Sequence, residues 1–240
     1  MQPTRRIDIL SLRTGPVRTC GEDGAREPME RPWSTGIFKE TVAGPVRLGF
    51  GGFEGDGQGD TKHHGGPEKA VHVYPSEHLV FWRDALGIEA IEVGAFGENL
   101  STRGAIEAEV CIGDVYEVGE ALVQVSQPRQ PCWRIARRWR RPDLAVLMQD
   151  SGRTGWYLRV LRPGEVCPGE SLVQVDRPYP EWTVARANEV RHGPPAPDAL
   201  ESLTGCDALA RSWRDRLARR LKGAAPEDPT PRLYGPNRVP

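Results

Sequence analysis

The string Val125-Ser126-Gln127-Pro128-Arg129-Gln130-Pro131-Cys132-Trp133-Arg134 carries the sharpest chemistry in this chain. Two prolines stiffen the backbone, so Cys132 sits on a rigid loop close to Arg129 and Arg134. Nearby cations stabilise a thiolate, and a thiolate there is a nucleophile or a soft-metal ligand. The competing reading is a buried structural cysteine. Cys111 and Cys167 suit that role better, because both lie in an internal echo: Glu109-Val110-Cys111-Ile112-Gly113-Asp114 resembles Glu165-Val166-Cys167-Pro168-Gly169-Glu170. The segment from Gly119 to Val125 likewise recurs from Gly169 to Val175, as one turn-plus-strand solution used twice.

The second chemical segment runs from Gly51 to Lys69 and is dense in glycine. It has neither a Gly-Lys-Ser/Thr ending nor the three-glycine dinucleotide fingerprint. Its glycines, with Gly65 and Gly66 among them, expose backbone N–H groups, and Lys62, His63, His64 and Lys69 add cationic or hydrogen-bonding side chains, which together make an anion cradle. A Gly-rich hairpin with solvated charges reads the same residues. His63 and His64 with His72 and His78 lack zinc-site spacing, and His72 and Tyr74 share one face of a strand pattern, where a hydrogen-bonded structural histidine is common. Between these segments, Ala95-Phe96-Gly97-Glu98-Asn99-Leu100 is a short Gly turn whose Glu98 and Asn99 offer an acceptor and an amide to a ligand or to the turn itself.

Arginine accumulates beyond Cys132. Residues 129–162 hold nine arginines against Asp143 and Asp150, a local balance of +7, which reads as an anion site or as a solvated face. Residues 211–222 hold five arginines and Lys222 against Asp215, or +5, which favours solvation or a protein partner.

The elements that must position these residues are mostly strands. In 240 residues, 27 Gly and 22 Pro favour turns over long helices and exclude a coiled coil or helical array. Short alternating runs such as Val71–Tyr74, Val115–Val118 and Leu122–Val125 predict a sheet or barrel over 36–178, with a strand at 5–10 joining it. Helices are expected over 76–86 and 143–150. After Pro178 the period changes to that of helices, and a small three-helix unit is expected over 181–223: one helix capped by Thr183, a one-turn helix capped by Asp198, and a longer one from Asp207 to Leu221. The Pro-rich residues 224–240 are expected to be disordered.

A net charge of −1 excludes holding nucleic acid by bulk electrostatics. The longest apolar run, Leu144–Met148, is far short of the roughly 20 residues of a bilayer span, and no secretory core follows Arg5 and Arg6. Five scattered cysteines without a Cys-x-x-Cys pair argue for reduced thiols, so the chain is read as cytoplasmic, without nucleic-acid or membrane partners.

Taken in order, these segments resemble the MOSC domain, shared with the C-terminal part of molybdenum-cofactor sulfurases, and within it the YiiM-type bacterial subgroup. The matching residues are Gly55-Asp56, the string Lys62 to Pro67, Val71 to Pro75, Phe96 to Leu100, Val125 to Arg129 with Pro131-Cys132, Leu147 to Gln149, Gly152 and Thr154-Gly155-Trp156. The resemblance covers about residues 36–223; the 14–31 segment and the tail depart from it and receive no function.

The resemblance implies a mostly β fold, a MOSC-type barrel with short peripheral helices, holding a molybdopterin-type molybdenum cofactor whose metal is ligated by the Cys132 thiolate. It implies reduction of N-hydroxylated compounds such as hydroxylaminopurine, with His63 or His64 supplying a proton. Cofactor contacts then fall to Lys62, Gly65, Gly66, Asn99, Arg129 and Arg153, the last because it precedes Thr154-Gly155-Trp156. Sulfur transfer through a Cys132 persulfide and a noncatalytic cofactor carrier are the alternatives. No flavin or iron–sulfur motif is present, so a separate flavin or iron–sulfur reductase must deliver electrons; pyridoxal phosphate is not expected.

Overall fold

Ile7 and Ile9 alternate with the outward Arg6, Asp8 and Leu10, and this period of two makes Arg6–Thr14 the first strand, β1, of a computed structural model that describes residues 5–59, 65–194 and 196–237. Lys62, His63 and His64 lie outside the described residues. A hairpin of β2 (Arg18–Cys20) and β3 (Trp33–Thr35) follows, then β4 (Glu40–Thr41), which pairs with the far end of β1, and the short pair β5 (Val46–Gly49) and β6 (Gly52–Phe53). Next come β7 (Val71–Pro75), β8 (Leu100–Arg103), β9 (Val115–Val118), β10 (Ala121–Pro128), β11 (Trp156–Arg162), β12 (Gly164–Val166) and β13 (Ser171–Asp176).

Seven of these close a barrel in the order β13-β9-β10-β11-β7-β8-β1, with β1 returning to β13 through the pair Ile7 and Leu172. Only β7 and β8 run parallel among the barrel neighbours. The fold is the mostly β barrel expected, and β1 is an integral stave reaching Thr14. Among the described residues no helix is long and apolar enough to cross a membrane.

The internal echo has a structural cause. Asp114 accepts from the backbone N–H of Cys111 at 2.9 Å, and Glu170 accepts from that of Cys167 at 3.0 Å. Each carboxylate closes a tight turn whose glycine, Gly113 or Gly169, has φ of 88° or 85°. The strands β9 and β13 that leave these two turns lie side by side.

Helices α1 (Leu79–Leu86), α2 (Trp133–Trp139) and α3 (Leu144–Ser151) bury Trp82, Leu86, Ile135, Leu144 and Met148 in a second core beside the barrel. The helix α2 was not expected; its arginine-rich string hides Ile135 and Ala136 as a narrow buried stripe. The C-terminal unit comprises α4 (Val184–His192), capped by Thr183 Oγ1 on the Arg186 N–H, α5 (Pro197–Thr204) and α6 (Arg211–Leu221). Two boundaries are corrected. The second helix has two turns and starts at Pro197, whose missing N–H costs nothing at a helix start, rather than being one turn capped by Asp198. The third begins at Arg211, and Leu209 is buried ahead of it. Trp182, Leu203, Trp213 and Leu217 belong to the same apolar cluster as the barrel interior, so the unit is fused to the barrel's core.

The tail departs from the expected disorder as far as Asn237. It forms α7 (Thr230–Leu233), and Leu233 enters the second core. Asn237 donates to the Trp133 carbonyl at 3.1 Å and accepts from Arg137 Nε at 2.7 Å, so polar contacts hold what composition alone marks as loose.

Candidate functional site

β10 shifts register against β11 between Val125 and Gln127, stays paired through Pro128 opposite Trp156, and the loop bearing Cys132 leaves it there. Cys132 then becomes the N-cap of α2, with φ of −134° and its carbonyl accepting from the Ile135 N–H at 3.1 Å. Its thiol is 6% exposed. Two cavities meet there, sharing Lys69, Cys132, Arg134 and Tyr157 in their walls. The inner one, about 100 Å³, lies against the barrel; the outer one, about 710 Å³, opens toward the three-helix unit and the tail.

Arg129 and His72 line the inner cavity, and each carries a buried polar atom with no hydrogen-bond partner among the described residues, Arg129 Nη1 and His72 Nε2. Unpaired buried polar groups are costly, so both atoms ask for a bound group. Burial, then the Arg129 charge, holds the His72 imidazole well below its ordinary value, so it is neutral at pH 7. Burial likewise raises the Tyr157 phenol, overcoming the charge of Arg129 and the hydrogen bond from it, and keeps its proton in place. A cationic donor, a neutral imidazole and a protonated phenol thus surround one thiol. This donor set fits a phosphate-bearing, soft-metal cofactor: Cys132 offers the sulfur ligand, and Arg129, Lys69 and Arg134 offer charge to the anionic end.

The glycines of the Gly51–Lys69 segment work by close approach where they are described. A Cβ on Gly57 would lie 2.7 Å from the Val17 nitrogen, one on Gly59 2.7 Å from the Thr35 Cα, and one on Gly36 2.0 Å from the Gly57 oxygen. The Gly57 N–H donates to the Gly15 carbonyl at 2.8 Å. The 14–17 stretch and the β2–β3 hairpin therefore pack on the glycine loop and bring Thr35, Gly36 and Ile37 into the cavity wall. Asp56, buried, pairs with Lys39 and accepts from the Gly15 N–H at 3.1 Å and Asn99 Nδ2 at 2.9 Å.

The candidate residues divide accordingly. Arg129 and Cys132 are brought together. Asn99 is in the same wall, but its side chain is taken up internally: Oδ1 accepts from the His72 N–H at 3.0 Å and Nδ2 donates to Asp56 and to the Arg13 carbonyl. It positions β7 and the Asp56 loop. Gly66, with φ of 95°, opens the 3-10 turn Pro67–Lys69 that carries Lys69 into both cavities; Gly65 and Gly66 themselves are not in either wall. Arg153 follows the left-handed Gly152, stacks its guanidinium on the Phe81 ring at 3.9 Å and is in neither cavity wall.

Of the nine arginines in 129–162, Arg129 and Arg134 reach the cavity walls. Arg137 donates to the Pro28 and Arg31 carbonyls at 2.6 and 2.7 Å, Arg138 to the Ile37 carbonyl at 2.5 Å, and Arg159 to Glu68 and Gln124. Arg138 is pulled down to about 10 by burial, partly offset by Glu98. Sequence reasoning missed Lys39, the structural pairing of Asp56, the cavity role of Tyr157, and the arginines that α4, α6 and the tail send into the outer cavity. Only the charge excess of 211–222 signalled the last of these.

Residues 60–173 match the model of the MOSC domain, and residues 182–224 that of the YiiM-like, 3-alpha helix domain. The Bacillus subtilis protein YflK is 42% identical over 210 residues, 87% of this chain and 92% of that protein. Protein YiiM of Escherichia coli is 39% identical over 202 residues, 83% and 90% of the two chains. A Gibberella moniliformis protein named Reductase is 38% identical over 160 residues, 65% of this chain and 28% of that protein. The crystal structure of YiiM from Escherichia coli is similar at a TM-score of 0.76 and 33% identity, covering 93% of this chain and 100% of that one; that of YiiM from Geobacillus stearothermophilus gives 0.72 and 35%, with 90% and 99% covered.

Proposed function

The chain belongs to the MOSC-domain proteins that carry a YiiM-like three-helix domain, and from that membership we propose a molybdenum-cofactor-dependent reductase of N-hydroxylated compounds such as hydroxylaminopurine. The observation that carries the reading is the placement of Cys132, a buried thiol where two cavities meet, beside Lys69, Arg134 and Tyr157. Family membership and the similarity to a fungal protein named Reductase support a role tied to the molybdenum cofactor and to redox chemistry.

A molybdenum cofactor, when bound, would supply the two-electron chemistry that removal of oxygen from an N–OH group needs. In sum, the N–OH compound takes up two electrons and two protons and leaves as the N–H compound and water. The protein's own share is holding and protonating. Cys132 would give the metal one soft ligand on a loop fixed by Pro128 and Pro131. Arg129 and Lys69 would hold the cofactor's anionic end, and His72, neutral and without a partner at Nε2 among the described residues, faces the same space. Tyr157 keeps a phenolic proton beside the thiol, while His63 or His64 is the second proton source we assign. Electrons come from a separate flavin or iron–sulfur reductase.

The test is metal content and reduction of N-hydroxylaminopurine with an artificial electron donor, in the five single Cys→Ser variants. Cys132→Ser, a harder and far less acidic ligand, is expected to lose molybdenum and turnover together, while the Cys20, Cys111, Cys167 and Cys206 variants keep both. Near-normal turnover in Cys132→Ser overturns the assignment. Turnover absent with a persulfide on Cys132 selects sulfur transfer, and molybdenum bound without turnover selects a carrier.

A further inference from the structure

Three arginines from the three-helix unit converge on one carboxylate of the tail. Arg191 of α4 and Arg216 and Arg219 of α6 lie 3.7, 3.3 and 3.2 Å from the oxygens of Glu227. Glu227 is half exposed and belongs to residues 224–229, which form no regular element between α6 and α7. The cluster faces the outer cavity, whose far wall is Cys132. Arg191 also donates through Nε to Gln130 at 3.2 Å, two residues before Cys132, so the cluster is tied to the cysteine loop.

Glu227 and Asp228 undercompensate the arginines that line this cavity. Arg191 is desolvated, with a side chain 10% exposed, and burial with the charges of Arg216, Arg232 and Arg220 brings it down to about 10. An oxyanion of higher charge, with three or more acceptor oxygens, satisfies the same donors better, and planar guanidinium groups suit phosphate. The cavity, about 710 Å³, is large enough for a nucleotide-sized ligand, and its walls include Tyr157, an aromatic side chain of the kind that stacks on bases, and Trp133, whose ring Arg134 and Arg137 overlie.

We propose that Arg191, Arg216 and Arg219 form a phosphate subsite for the substrate, which is then an N-hydroxylated nucleotide rather than a free base, and that Glu227 is a built-in counter-ion displaced when the phosphate enters. The substrate class rests on the reductase reading; the subsite does not. Glu227 shares its two oxygens among the three guanidinium groups, and it lies on a segment without regular structure, from which it can swing away.

The experiment is calorimetric titration of adenosine 5′-monophosphate, adenosine and inorganic phosphate into the protein with and without its cofactor. The monophosphate is expected to bind about tenfold or more tightly than adenosine, as a charge-assisted site requires. Arg216→Gln and the more exposed Arg219→Gln each weaken the monophosphate severalfold and leave adenosine unchanged, whereas Glu227→Gln strengthens it. Equal binding of the two ligands, or indifference to both arginine variants, overturns the subsite. Loss of monophosphate binding once the cofactor is loaded overturns it too, by assigning the cluster to the cofactor's own phosphate. In turnover, the 5′-monophosphate of N-hydroxyadenosine should exceed N-hydroxylaminopurine in kcat/KM; equal values overturn the substrate class. Monophosphate binding to loaded protein that reduces neither compound leaves the subsite standing and refutes the reductase reading instead.

Discussion

Arg232, in the tail helix, donates to the carbonyl oxygen of Pro131, the residue immediately before Cys132, and through its other amino group to Gln149 Oε1. Asn237 meanwhile donates to the carbonyl of Trp133, the residue immediately after. The tail therefore brackets the cysteine from both sides. Arg232→Ala removes two charge-assisted hydrogen bonds from a partly buried group and should cost about 1–3 kcal/mol in denaturant unfolding. It should also speed alkylation of Cys132 by iodoacetamide, since the loop is no longer pinned. Unchanged stability and unchanged alkylation would show the clamp to be idle.

The glycine loop is predicted to fail by crowding. Gly57→Ala places a methyl group 2.7 Å from the Val17 nitrogen, where backbone faces backbone and nothing flexible can yield. Overpacking of this kind costs about 1–3 kcal/mol. Gly66→Ala meets no atom within 4 Å and pays only for its φ of 95°, about 1–2 kcal/mol. Thermal melts of the two variants should separate further if cofactor is present, because only Gly57 borders the inner cavity.

His72 sets an acid limit. Its folded pKa is depressed by burial below the ordinary 6.5, so between the two values the unfolded chain binds a proton that the native chain does not. Stability is therefore complete above about pH 6.5 and falls as the pH drops toward the folded value, by at most about 1.4 kcal/mol per pH unit. Unfolding free energies at pH 7 and 5.5 should show this slope in the wild type and a shallower one in His72→Gln. Parallel slopes would remove His72 as the cause.

The two echoed turns should differ in cost. Asp114 is fully buried and accepts from the Cys111 N–H, from Tyr116 Oη and from Arg177, while Glu170 is partly exposed. Asp114→Ala removes the acceptor of Cys111 N–H and Tyr116 Oη and the carboxylate of Arg177, which keeps the Glu109 carbonyl and some solvent contact, and should cost about 2–4 kcal/mol. Glu170→Ala loses one backbone acceptor and should cost about 1 kcal/mol. Equal losses in urea titrations would mean that burial does not set the difference.

The barrel was legible because its strands alternate: Val71, Val73, Val123 and Val125 sit inside at the period of two that their spacing announces. The cysteine loop was legible because Pro128 and Pro131 restrict the backbone locally. The helix α2 was not, since Trp-Arg-Ile-Ala-Arg-Arg-Trp shows charge where the buried face is Ile135, Ala136 and an arginine, Arg137. Arg153 illustrates a different limit: its neighbours in sequence belong to the matched string, yet it follows the left-handed Gly152 and stacks on Phe81. Arg191 and Arg216 reach the site from 59 and 84 residues beyond Cys132, and no periodicity tells which arginines of an amphipathic helix face a cleft.

The pairing of Arg6 with Val173 has a temporal side. β13 is the stave between β9 and β1, so until residue 176 has been synthesised the nascent barrel carries two unpaired edges, one at each flank. Open edges of this kind recruit other strands, and ordering a loop of this length precedes any reward from the contact that closes it. Ring closure is thus a late event that joins β1 to β13, and the edge of β1 opposite its β8 partner stays open until β13 has been made.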